Sequence, residues 1–199
     1  MHPDAPGPAV HYYMIRGGSD MRNVTVMEVG TVGGEYLKTY GHYHIGKLEE
    51  TYWFVFGEGI VLQQKLVEEN GVPQPDRVAD FRARKVHARD SQHMPPGYGH
   101  LILNTGKTYM VMIDDSPVDF GLKPSALGAD GSADHSRAND LGDRNEISMP
   151  GHADYEMVKK MRGFAYYVVE KDGAPALVKN PLYTEIQKED LGGLSVIAA

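Results

Sequence analysis

Residues Thr39–Trp53 read TYGHYHIGKLEETYW: two histidines one residue apart, then adjacent glutamates, then aromatics. The stretch reads as two strands joined by a turn. On a strand, residues i and i+2 share a face, so His42 and His44 aim at one point. Histidine is the commonest metal ligand. Taken alone, a polar strand face explains the pair equally well. Glu49 and Glu50 open the second strand and point to opposite faces, so only one of them meets the histidines. Glu49 shares its face with Thr51, Trp53 and Val55, and Glu50 with Tyr52, Phe54 and Phe56. We take Glu50, which also fits the position of the strand-ending Gly57.

Outward from this stretch, short apolar and β-branched runs alternate with Gly-rich turns. NVTVMEVG (Asn23–Gly30) and TVGGEYLKTY (Thr31–Tyr40) precede it, and ETYWFVFGEGIVLQQKLV (Glu50–Val67) is broken at Gly57 and Gly59. ENGVPQPD (Glu69–Asp76) reads as a long hairpin tip. RVADFRARKVHAR (Arg77–Arg89) alternates basic with apolar residues and reads as a strand with a solvated charged face. HLILN and TYMVMIDD are strands joined by TGK, with the Met residues as core filler. Closely spaced strands of this kind predict an all-β sandwich or barrel. Residues 1–20 form an N-terminal arm. A polar loop follows Pro117, then ADYEMVKKMRG predicts a short helix with Gly163 as its stop. FAYYVVEKDGAPALVKNPLY predicts a β-hairpin around Lys-Asp-Gly. The chain thus reads as one domain, 1–199. Its core is about 21–117, the loop about 118–150, and the C-terminal helix and hairpin about 151–185.

The 199 residues are 41% hydrophobic and 24% charged, ordinary for a globular protein. A net charge of -7 and the solvated reading of the basic strand argue against nucleic-acid binding. Neither a membrane span nor a signal peptide is evident, and Cys is absent. A cytoplasmic location is expected.

PPGYGHLILN adds His100, directly after a tight turn and at the start of a strand. Three imidazoles and one carboxylate suit Fe(II), Mn(II), Zn(II) or Ni(II), with room left for water or substrate. Fe(II) is the expected ion, one per chain. His87 and His93 fall outside the pattern and are read as surface residues.

At these residues the chain resembles the cupin superfamily. Pro95, Gly97, His100 and Asn104 meet its second motif, Pro-x-Gly-x-x-His-x-x-x-Asn. The first motif is met loosely: Glu49 has the common His-to-Glu spacing, and Glu50 comes one place later. The wider gap, the TYGHYH stretch, the Thr25–Thr39 segment and the run from Gly151 to Tyr183 resemble cupin-type glucose-6-phosphate isomerases. That resemblance implies a cupin jelly roll and a homodimer. It implies metal-dependent interconversion of glucose 6-phosphate and fructose 6-phosphate, in glycolysis and gluconeogenesis. It implies that His42, His44, Glu50 and His100 hold the metal, and that Thr25, Thr39 and Gly41 bind the phosphate. Tyr52 would lie beside the sugar, Glu50 would act in catalysis, and His152 would close over the substrate. Asp114, Asp115 and Ser116 stand where the family carries a Tyr, and we read the two acids as a solvated strand end. Other readings of the same ligand set are an isomerase of a different sugar phosphate, an Fe(II) dioxygenase, or a non-catalytic sugar-binding cupin.

Overall fold

The computed structural model describes residues 4–15, 23–44, 46–116 and 163–198. The predicted loop at about 118–150, the predicted helix and His152 lie outside the described residues. Among the described residues there are strands and turns and no helix.

The alternating runs form three sheets. The first orders Tyr12–Ile15 (β1), Asn23–Met27 (β2), Met110–Asp114 (β11), Glu50–Phe56 (β6) and Ser91–Met94 (β9), all antiparallel. The second orders His42–Tyr43 (β5), Gly99–Asn104 (β10), Glu58–Glu69 (β7), Val72–His87 (β8) and Glu185–Ile186 (β14), with Glu189–Asp190 (β15) also on β8. The third orders Thr31–Val32 (β3), Glu35–Tyr36 (β4), Tyr166–Lys171 (β12), Ala174–Lys179 (β13) and Val196–Ile197 (β16). The architecture is an all-β sandwich.

The first and second sheets face each other across Met27, Tyr52, Phe54, Val61, Val86, Met94, Ile102, Met110 and Met112. The other face of the second sheet packs on the C-terminal hairpin through Ile60, Leu62, Phe81, Leu101 and Leu103 against Phe164, Tyr166, Val168 and Leu177. β10 is therefore buried on both faces along its whole length, which is why its middle, Leu101–Leu103, reads as an apolar run. Each Leu or Ile so enclosed stabilises by roughly 1.5–3 kcal/mol.

Gln64 pins the layers together. Its Nε2 donates to the Tyr43 and Tyr183 hydroxyls at 2.8 and 3.0 Å, and its Oε1 accepts from Ala165 N–H at 2.9 Å. Asn104, the last residue of the second motif, ties the ends of two sheets. Its Nδ2 donates to the carbonyls of Glu28 and Thr108, and its Oδ1 accepts from Gly106 N–H.

One expectation is revised, and two segments gain structure that the sequence left open. The hairpin tip is not long: Asn70 and Gly71 turn alone, with φ of 53° and 76°, and Val72–Asp76 already belong to β8. Two positive φ values match the twist of the flanking strands, so a two-residue turn suffices. The N-terminal arm contributes β1 to the edge of the first sheet. The tail after Tyr183, which shows no pattern in sequence, supplies β14 and β15 to β8 and β16 to β13, all in parallel.

Candidate metal centre

His42 and His100 are register partners on the neighbouring antiparallel strands β5 and β10. His44 follows on the same side as His42. Their rings lie close, with centroids 5.0 Å apart for His42–His44, 4.6 Å for His42–His100 and 5.0 Å for His44–His100. Glu50 arrives from the other sheet. Its Oε2 is 2.9 Å from His44 Nε2 and 3.5 Å from His100 Nε2. One ligand atom from each of the four residues lies within 4.8 Å of all the others.

Glycines make this convergence possible. Gly99, just before His100, sits under Tyr43, where an added Cβ would stand 2.4 Å from the ring. Gly41, just before His42, has φ +76° and would bring a Cβ to 3.0 Å from Leu101 and 3.1 Å from Phe164. Only a residue without Cβ lets the strands come this near in that conformation.

His44 Nδ1 is 3.3 Å from the Leu48 carbonyl. A carbonyl only accepts, so this contact places a proton on Nδ1 and turns Nε2 toward Glu50. Burial pushes the Glu50 carboxyl above its usual range. The close approach of the His44 ring opposes this, and the charge of Asp114 adds to it. A carboxylate among three imidazoles, almost fully enclosed, is costly without a compensating charge. One carboxylate and three ring nitrogens are the donor set for a divalent ion, so these residues could hold one.

The structure decides between the adjacent glutamates. Glu50, Tyr52 and Phe54 are buried between the sheets, and Glu49 is exposed, paired with His93 at 3.5 Å. His87 and His93 are both exposed. Tyr52 packs its ring on His100, edge to face, with centroids 5.8 Å apart. Thr25 is buried on β2 between its cross-strand partners Met14 and Met112. Thr39 lies on the opposite sheet, where its Oγ1 accepts from Ile102 N–H at 3.1 Å.

One expectation fails at this site. Asp115 is exposed, as a solvated strand end requires, but Asp114 is buried. It accepts hydrogen bonds from Asn23 and Ser116, both also buried. The signal was present in the alternation Met110, Met112, Asp114, which places the acid on the core side of β11.

The fold and these side chains define an all-β sandwich with a three-histidine, one-glutamate cluster between its sheets. Residues 14–130 match the family Glucose-6-phosphate isomerase (GPI), and the chain belongs to that family. It is 30% identical over 139 residues to a putative glucose-6-phosphate isomerase 2 of Rhizobium meliloti (strain 1021), covering 69% of this chain and 59% of that protein. It is 26% identical over 164 residues to a glucose-6-phosphate isomerase of Thermococcus kodakarensis (strain ATCC BAA-918 / JCM 12380 / KOD1), covering 81% of this chain and 63% of that protein. The chain thus spans 59% and 63% of the lengths of these two relatives. Among solved structures, the Drosophila melanogaster CENP-C cupin domain is similar, with 15% identity, a TM-score of 0.35, and coverage of 47% of this chain and 54% of that one.

Proposed function

We propose that this protein is a metal-dependent aldose–ketose isomerase that interconverts glucose 6-phosphate and fructose 6-phosphate. The observation that carries the reading is the convergence of His42, His44, Glu50 and His100 in a chain of this family. A divalent cation held there, Fe(II) in first place, would stabilise negative charge on the substrate oxygens at C1 and C2. Glu50 is the carboxylate of the cluster and, in this reading, the proton acceptor at C1 and C2. Tyr52 forms a wall beside His100 and holds the sugar against it. Thr39 already accepts a bond from Ile102, so its hydroxyl proton is left to donate to a phosphate. Thr25, Gly41 and His152 complete the proposed set, by family resemblance.

A second copy of the chain is the proposed partner. Ile15, Val24, Ile113 and Trp53 are successive cross-strand partners on the outer side of the first sheet. Tyr13, Ile15, Trp53 and Val55 on that side are all exposed. A patch of this kind marks an association surface, and a homodimer covers it. The reading carries with it a cytoplasmic place among the reactions of glycolysis and gluconeogenesis. Among the described residues, no helix is long and apolar enough to cross a membrane.

The test is a coupled assay of fructose 6-phosphate to glucose 6-phosphate on chelator-stripped protein, with Fe(II), Mn(II), Zn(II) or Ni(II) restored singly. Turnover that returns with metal supports the reading. Full activity without metal, or bound metal with no turnover, overturns it.

A further inference from the structure

β7 turns Ile60 and Leu62 to the hairpin layer and Val61 to the space between the first and second sheets. By the same alternation Gln64 faces the hairpin and Gln63 faces the first sheet. Gln63 is buried. A buried amide costs free energy unless its donors and acceptor are used. An apolar side chain of equal length would fill the volume without that cost, so the bonds of Gln63 show what the amide is for.

All of these side-chain bonds run to β9. Gln63 Nε2 donates to the His93 carbonyl at 2.8 Å and to Met94 Sδ at 3.0 Å. Its Oε1 accepts from Gln92 Nε2 at 3.2 Å. Gln92 is fixed in turn: its Nε2 also donates to the His93 carbonyl at 2.9 Å, and its Oε1 accepts from Arg84 Nη1 at 2.7 Å.

The same level of the sandwich carries the histidines and Glu50. Gln63 is the register partner of His100 on β10, and Met94 is the register partner of Glu50 on β6. Opposed side chains of an antiparallel pair stand about 4.5–5.5 Å apart. His100, Gln63, Met94 and Glu50 thus form a circuit: along the second sheet, across the gap, and back along the first. The Glu50 end of β6 depends on it. The β11 ladder reaches β6 only as far as Tyr52. Past that point β6 is held by β9, the edge strand of the first sheet, and by one bond from Thr51 N–H to Asp115 Oδ1.

We infer that Gln63 is a positioning residue of the metal centre: by tying β9 to β7 it sets the distance between the Glu50 carboxylate and the three imidazoles. It acts through Met94 and the β9 backbone rather than as a ligand. The inference rests on the reading of the cluster as a metal site and is independent of the substrate. An outer-shell partner of this kind is worth about 10–100-fold in metal affinity.

The experiment reads the metal, not turnover. The full chain is stripped with chelator and titrated with Co(II), whose visible absorption reports the number and arrangement of its ligands. Gln63→Met keeps the length of the side chain and removes the amide. We expect its Co(II) affinity to fall at least tenfold, with a changed visible spectrum. A role confined to holding the sheets together would lower the Tm of the metal-free protein and leave the Co(II) spectrum as in wild type. That result overturns the inference, as does wild-type affinity. Gln92→Ala, at a half-buried position, loosens Gln63 without opening the core. It should lower Co(II) affinity in the same direction and by less, and wild-type affinity there overturns the inference where Gln63→Met does not fold. Co(II) bound by wild type, with no turnover of fructose 6-phosphate under any restored metal, removes the isomerase reading and leaves the positioning role standing. No Co(II) binding by wild type overturns the metal centre and the positioning role together.

Discussion

His42 and His100 face each other across β5 and β10 as register partners, while Glu50 reaches them from the opposing sheet. The cluster exists only when the two sheets are closed on each other. We therefore expect His42→Ala and His100→Ala each to weaken metal binding by more than about 100-fold, beyond what loss of an outer-shell partner costs. Metal per chain after gel filtration checks this. Stoichiometric metal in either variant would move the centre elsewhere.

Glu50 as the proton carrier has an isotopic consequence. Product formed in D₂O should carry solvent deuterium at C1 of the ketose or C2 of the aldose. Glu50→Gln should lower kcat by about 10²–10⁴ when compared at equal metal occupancy. Complete retention of the substrate hydrogen in product would assign the transfer to a hydride shift and remove Glu50 as base.

Gly99→Ala would drive a methyl into the Tyr43 ring, which is itself fixed through its hydroxyl to Gln64. Overpacking of this kind costs roughly 1–3 kcal/mol. In a chain of this length that is a fall of several degrees in Tm. Because His100 is the next residue, metal affinity should fall with it. An unchanged Tm would show that Tyr43 yields freely.

Asp80 gives the fold an acid limb. Burial would push its carboxyl up, but hydrogen bonds from Tyr98 Oη at 2.6 Å and from Arg82 outweigh that and lower it. A carboxylate lowered in the folded state stabilises above its unfolded pKa of about 3.9, and the gain is lost as pH falls through the lower folded value. Arg82 is 42% exposed, so solvent screening holds the gain to about 1 kcal/mol or less. Urea denaturation should show Asp80→Asn less stable than wild type at pH 6 and nearly equal to it near pH 2. A constant gap across that range would contradict the assignment.

Trp53 lies in the exposed apolar row of the first sheet. Trp53→Glu should convert the proposed dimer to monomer, seen by light scattering, and leave metal content unchanged. A wild type already monomeric at tens of micromolar would reject that face as the interface.

Much of this was legible before any coordinates. The period-two alternation of Glu50–Phe56 and Met110–Asp114 marks strands because a pleated chain turns successive side chains to opposite faces. His42 and His44 could be paired for the same reason. His100 was marked by its turn-and-strand context, Pro95 to Asn104. Other features depend on residues distant in sequence. Gln64 has no visible reason to be polar until Tyr43, Ala165 and Tyr183 surround it. The short strands of the tail show no period, and only pairing with β8 and β13 makes them strands.

By itself, then, the sequence determined the class of the fold and the three histidine donors, through local periodicity and the spacing of histidines around glycine turns. The tertiary structure decided which of Glu49 and Glu50 turns inward. It also turned Asp114 from a solvated strand end into a buried acceptor for Asn23 and Ser116. Both outcomes follow from register: a one-residue shift exchanges the two faces of a strand, and only pairing with the neighbouring strand sets that register.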